Sequence, residues 1–146
     1  MAKFVVTVDD DVLRKLERLE HDLPKVAEEV LQAGGAVITT RARRNLQGSI
    51  GRNLIAPKRS TGTLLKALGT SPAKLNRRGS YDIKVGFSDP RAGGKVTNAQ
   101  LGNMLEYGMR RRRQPAKPFM RPAANSSENE ARAAMQDKLD EYVRSV

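Results

Sequence analysis

The sequence predicts an α+β fold in which a small, mostly antiparallel sheet packs against one long helix and a second helix ends the chain. Two apolar stripes with a spacing of three to four residues predict these helices, one after Pro24 and one after Ser127. Alternation of apolar with polar or small side chains from Tyr81 to Phe87 predicts a strand. The chain has 146 residues, and we expect residues 1–146 to form a single domain.

The composition favours a binding or structural protein over an enzyme. The chain has no cysteine and a single histidine, His21, which lies in an acidic helical turn and is expected to be a solvated surface residue. These counts exclude a Cys–His pair and leave a Ser–His–Asp triad without a well-placed base. No apolar run approaches the length of a membrane span. We therefore expect no catalysis, cofactor, metal or membrane partner.

The net charge of +11 is unevenly distributed along the chain. Residues 41–121 carry 19 basic and 3 acidic side chains, whereas both ends of the chain are mildly acidic. Such a basic segment makes a polyanion a natural partner.

The N-terminal third is expected to contain a short strand and two helices. Residues 3–8 predict the strand. The acidic run Asp9–Asp11 precedes an apolar stripe, which favours helix capping over metal binding. Pro24 is predicted to start the second, longer helix, which runs to about Asn45. Two glycines within residues 33–36 indicate either a close approach of another element or a kink.

The middle of the chain predicts loops around short elements. Residues 47–62 form an extended loop, long for a compact domain. Residues 63–68 predict a short helix or turn, and residues 68–75 are ambiguous. The apolar face of the strand at 81–87 is expected to pack on the long helix. Residues 89–97 predict an exposed loop.

Residues 101–124 carry the most distinctive pattern. Apolar positions from Leu101 to Tyr107 fit one face of a short helix that Gly108 can end in a left-handed conformation. The block Arg110–Arg113 follows, and prolines then predict an extended arm over residues 109–122. Phe119 is predicted to be the anchor of this arm. The final helix is expected to begin with a capping box at Ser127 and Glu130 or with Pro122 at its first helical position.

Three interpretations of the arginine block remain open. Arginines beside aromatic residues can contact phosphates, and they are also typical of protein interfaces. A solvated, charged loop is the third interpretation. No zinc-finger spacing, heptad zipper or RNA-binding aromatic strand supports recognition of a specific base sequence.

Three short stretches carry a family resemblance. Residues 105–108 read LEYG and residues 118–123 read PFMRPA, while TGTLLKAL stands upstream at residues 61–68. Together they resemble the small tail-completion or head–tail joining proteins of tailed phages, of the lambdoid siphophage type. Met109 and Ala67 depart from the threonine and serine usual in that family.

The resemblance implies a structural virion protein that completes the tail or joins it to the head. Such proteins act as rings of identical subunits, commonly six-fold, located in the virion neck or tail after assembly in the host cytoplasm. The implied partners are other copies of the chain, the connector or adaptor, a tail-tube or tail-terminator protein, and genomic DNA passing non-specifically through the lumen. The alternative is a basic, non-enzymatic DNA-binding protein that contacts phosphates.

Both interpretations nominate residues in the distinctive stretch. The residues expected at a subunit or partner interface are Glu106, Tyr107, Phe119, Met120, Arg121 and Pro122, with Glu106 paired to an arginine. The residues expected at a DNA channel or polyanion are Arg110, Arg111, Arg112, Arg113 and Lys117.

Overall fold

A computed structural model describes residues 9–49, 63–88 and 96–146. The predicted strand at 3–8 lies outside this part of the chain, as do residues 50–62 and 89–95 of the two predicted loops. The described elements, in order, are helix α1 (Asp10–Ser49), helix α2 (Thr63–Ala67), strands β1 (Leu68–Thr70), β2 (Lys74–Leu75), β3 (Tyr81–Asp82) and β4 (Val85–Phe87), helix α3 (Asn98–Tyr107), a 3-10 turn (Arg110–Arg112) and helix α4 (Met120–Ser145). The predicted α+β class is confirmed.

Helix α1 is a single continuous helix, so the prediction that Pro24 starts a new helix is wrong. An interior proline removes one backbone hydrogen bond and costs roughly 3 kcal/mol. Contacts with α4 on both sides of the proline offset this cost, because the Tyr142 hydroxyl donates to Asp22 Oδ2 at 3.1 Å and Met135 packs on Gly34. The helix also extends through residues 47–49, which were predicted to be loop.

Helices α1 and α4 pack side by side in opposite directions. Asn45, near the end of α1, donates from Nδ2 to the carbonyl of Phe119, at the start of α4, at 3.2 Å. A Cβ atom on Gly34 would lie 2.6 Å from Met135 Sδ, and one on Gly35 would lie 2.5 Å from Ile83 Cδ1. The predicted close approach at the glycine pair is therefore confirmed on two sides of α1.

Helix α4 begins at Met120, seven residues before the predicted capping box. Ser127 is fully buried inside the helix, and its hydroxyl donates to the carbonyl of Ala123. The capping box at Ser127 and Glu130 is therefore wrong. The alternative, Pro122 at the first helical position, is off by two residues: Pro122 is the third residue of α4, still within the first turn, where its missing N–H would have no intrahelical partner.

The predicted strand at 81–87 is divided between two small antiparallel sheets. Strand β3 pairs with β2, and β4 pairs with β1 in the register Leu68↔Phe87. The strand is interrupted where Lys84 N donates to Ser71 Oγ at 2.9 Å instead of to a backbone carbonyl. Ile83 lies at this break and packs on Gly35, which confirms the contact with the long helix.

The core lies where α1, α2, β1 and α4 meet. Its buried side chains are Ala42, Leu46, Leu64, Leu68, Phe119 and Ala123. The ring of Phe87 contacts that of Phe119 edge to face, with centroids 5.9 Å apart. Among the described helices, none is long and apolar enough to cross a membrane.

Candidate functional site

Helix α3 carries the first half of the distinctive stretch and has a well-defined start. The Thr97 hydroxyl accepts from Gln100 N at 3.2 Å, and Gln100 Oε1 accepts from Thr97 N at 3.0 Å. This reciprocal capping box was missed at the sequence level, although the Thr-x-x-Gln spacing is its usual signal.

The end of α3 requires a glycine. Gly108 has φ 76° and ψ 177°, and its N–H donates to the carbonyl of Met104 at 2.9 Å. The positive φ was predicted, but the ψ angle differs from that of the left-handed helical region. A Cβ here would lie 2.8 Å from both Gln114 O and Ala116 N. The chain beyond Gly108 therefore folds back against the helix end.

Residues 109–114 form a closed turn, which we call the arginine turn. Met109 and Gln114 exchange two backbone hydrogen bonds, each 3.0 Å long, and Arg113 closes the turn with φ 50°. Lys117 N then donates to the carbonyl of Leu105 at 2.7 Å. The prediction of an extended arm over 109–122 is therefore wrong for most of its length, because its two ends belong to a turn and to α4.

All four arginines of the arginine turn are exposed. Within the part of the chain that the structure describes, no ion pair includes any of them; the ion pairs lie on α1, on α4 and between these helices. Lys117, the fifth predicted polyanion contact, is only partly exposed. The turn thus presents a compact positive charge with which no carboxylate of the described residues forms an ion pair.

Glu106 connects the two halves of the distinctive stretch. Its Oε2 accepts from the N–H groups of Phe119 at 2.8 Å and Met120 at 2.9 Å, and its Oε1 accepts from Arg121 N at 3.0 Å. The side chain is only 9% exposed. Burial alone would raise the pKa of Glu106, but the three N–H groups and the charge of Arg121 outweigh it and hold the pKa below its usual value.

This contact makes α3 the N-terminal cap of α4. The first N–H groups of a helix have no intrahelical partner and carry the positive end of the helix dipole, so a carboxylate there is stabilised. The predicted pairing of Glu106 with an arginine side chain is replaced by these backbone N–H contacts. The guanidinium of Arg121 instead lies 5.8 Å from the centre of the Tyr107 ring.

The six predicted interface residues are divided between core and surface. Phe119 is 1% exposed and packs in the chain's own core, so it anchors the segment to its own subunit and is not accessible to a partner. Tyr107 is 67% exposed, so it does not share the partly buried face of α3 that was predicted to hold it together with Leu101 and Leu105. Arg121 and Pro122 are also exposed, while Met120 is partly buried.

Comparisons with known proteins found no similar protein. No protein-family model matches the chain, and neither the curated proteins nor the solved structures contain a match. Among the described residues, no cluster of histidine and acidic side chains could hold a metal ion.

Proposed function

We propose that this chain is a structural virion protein that completes a phage tail or joins it to the head, acting as a ring of identical subunits around the DNA channel. One observation carries the proposal: two of the three stretches behind the family resemblance, LEYG and PFMRPA, form a single structural unit. Glu106 of LEYG binds the N–H groups that begin PFMRPA. A role in the fold therefore explains why both motifs occur together and in this order.

The arginine turn is the part of this protein proposed to face DNA. Arginine side chains contact phosphates without reading sequence, which suits a surface past which a whole genome moves. The turn is held at its base by the Met109–Gln114 bridge and by the glycine-dependent fold at Gly108. Its charges can therefore be presented without ordering a flexible loop first.

The second candidate, a basic DNA-binding protein, also draws on the exposed arginine turn. The two candidates differ in the relative strength of self-association and DNA binding. A ring component should self-associate and bind DNA weakly, whereas a DNA-binding protein should bind duplex DNA as a monomer or dimer. In the latter, affinity should fall steeply with salt because bound phosphates release counterions.

The test is the solution mass of the full chain by light scattering, at low and high salt, with electron microscopy of any assembly. A 25-base-pair duplex of arbitrary sequence is then titrated against the protein. Salt-tolerant annular particles with weak DNA binding would support the ring component. A salt-independent monomer or dimer that binds the duplex tightly at low salt would overturn it in favour of the second candidate.

A further inference from the structure

The N-terminal end of α1 and the C-terminal end of α4 carry an apolar surface that no described residue covers. Seven large aliphatic side chains lie there with 36% or more of their surface exposed: Val12, Leu13, Leu16, Leu19, Leu23, Leu139 and Val143. Only two other large apolar residues of the described chain, Leu75 and Tyr107, are comparably exposed. We call the set of seven the apolar end.

The apolar end has the pattern of a helix-packing surface. Val12, Leu16, Leu19 and Leu23 follow one another at spacings of four, three and four residues, which aligns them on one side of α1. Leu139 and Val143, four residues apart, align in the same way on α4. Contiguous exposed apolar surface of this kind on a folded domain marks an interaction site.

The charges around the apolar end favour a basic partner. Residues 9–25 of the chain carry six acidic and four basic side chains, and residues 136–146 carry three acidic and two basic. A second apolar end would bring like net charges together, so symmetric docking of two such ends is disfavoured.

The hairpin formed by β2 and β3 carries an exposed apolar side chain and a net positive charge, which complement the apolar end and its acidic rim. Leu75 is 61% exposed, and residues 74–84 carry four basic side chains against one acidic. The turn is fixed, because Asn76 Oδ1 accepts from Arg78 N at 2.9 Å and from Ser80 N at 3.0 Å. The hairpin therefore presents an apolar side chain with a basic rim on a rigid support.

We propose that the β2–β3 hairpin of one copy of this chain docks onto the apolar end of the next copy, with Leu75 against the aliphatic stripe of α1. The two surfaces are different and complementary in charge, so the contact is head-to-tail, the type that closes into a ring or continues as a filament. This inference deepens the proposed function and rests on it for the occupant, a second copy.

The absence of cysteine from the sequence permits a direct test by disulfide formation between full-length single-cysteine variants. Leu16→Cys and Leu75→Cys are mixed under mild oxidation, and each variant is also oxidised alone. Asn125→Cys, at an exposed position near the start of α4 and outside both proposed surfaces, is the control. We expect the mixed Leu16→Cys and Leu75→Cys pair to give the dominant cross-linked product. Cross-linking of Leu16→Cys mainly with itself would overturn the head-to-tail arrangement.

Self-association of substituted chains supplies the second test. We expect Leu16→Glu or Leu75→Glu to weaken self-association about tenfold or more, because central side chains carry most of an interface's energy. Asn125→Glu, on an exposed position of α4 outside both surfaces, should leave it unchanged. Charge exchange is the sharper variant: Arg77→Glu with Arg78→Glu should weaken association, and Glu17→Lys with Glu20→Lys should restore it when the two chains are mixed.

The outcomes separate this inference from the function on which it rests. If the native chain forms rings and both leucine variants still do so, the docking surface is wrong and the ring function stands. If the native chain stays monomeric at all concentrations, and oxidation gives no more product than the Asn125→Cys control, both are overturned.

Discussion

Removing the Glu106 carboxylate is expected to destabilise the protein more than removing any surface carboxylate. In Glu106→Ala three N–H donors at the start of α4 lose their partner, and one of them, that of Phe119, is buried. Leaving a buried donor unpaired costs roughly 1–3 kcal/mol, while the two partly exposed donors can turn to water and cost less, so the total is about 3 kcal/mol.

Thermal and urea unfolding followed by circular dichroism measures this loss. For a chain of this length 1 kcal/mol corresponds to roughly 3 °C, so Glu106→Ala should lower Tm by about 10 °C. Glu106→Gln should lose less, because its amide oxygen still accepts hydrogen bonds. Glu128→Ala is the control: its pair with Arg132 is exposed and worth under about 0.5 kcal/mol. If Glu106→Ala lost no more than Glu128→Ala, the capping account would be refuted.

The same contact predicts a dependence on pH. The pKa of Glu106 is lowered in the folded state, so its contribution is complete above the unfolded value of about 4.3 and is lost as the pH falls through the folded pKa. The stability difference between the native chain and Glu106→Gln should therefore shrink in acid. Equal differences at pH 7 and pH 3, measured by urea unfolding, would contradict a charged carboxylate at this position.

Three further substitutions test the fold and the arginine turn. Gly35→Ala should destabilise by about 1–3 kcal/mol because its Cβ meets Ile83, whereas Gly48→Ala, which meets no atom within 4 Å, should be neutral or stabilise by up to about 1 kcal/mol in urea unfolding. Phe119→Ala should lower the free energy of unfolding by about 3–5 kcal/mol because it creates a cavity in the core. The folded fraction of this variant is therefore measured by circular dichroism before any loss of assembly is interpreted. Replacing Arg110–Arg113 by glutamine should leave Tm nearly unchanged while reducing both duplex affinity and its salt dependence in a fluorescence titration.

Periodicity predicted the elements that depend on local pattern. The long helix, the short helix α3 and the final helix were all visible as apolar spacing, whereas residues 63–68 were left open between a helix and a turn. The break at Pro24 and the start of the final helix were misplaced because both depend on tertiary contacts. Packing of α1 against α4 outweighs the cost of an interior proline, and a carboxylate from another helix replaces the local cap of α4.

The candidate site was located by sequence, but its internal arrangement was not. The unusual composition of residues 101–124 marked this segment as the candidate site, because arginine, proline and aromatic residues seldom concentrate so closely. Whether Phe119 faces a partner or the core depends on how close β4 and α1 lie to it. A short-range sequence pattern carries no information on the positions of such distant segments. Likewise, an isolated glutamate in a basic segment favours pairing with arginine, although the nearest unpaired donors are backbone N–H groups thirteen to fifteen residues away.

The buried position of Phe119 alters where a partner can bind. Because PFMRPA is used to start α4 and fill the core, the described surfaces available to the proposed assembly are the arginine turn, the exposed Tyr107–Arg121 pair, the β2–β3 hairpin and the apolar end. The arginine turn is basic, the Tyr107–Arg121 pair is aromatic and basic, and the apolar end has an acidic rim. A protein with such unlike surfaces is suited to repeated head-to-tail contacts, with the arginine turn left free for a polyanion.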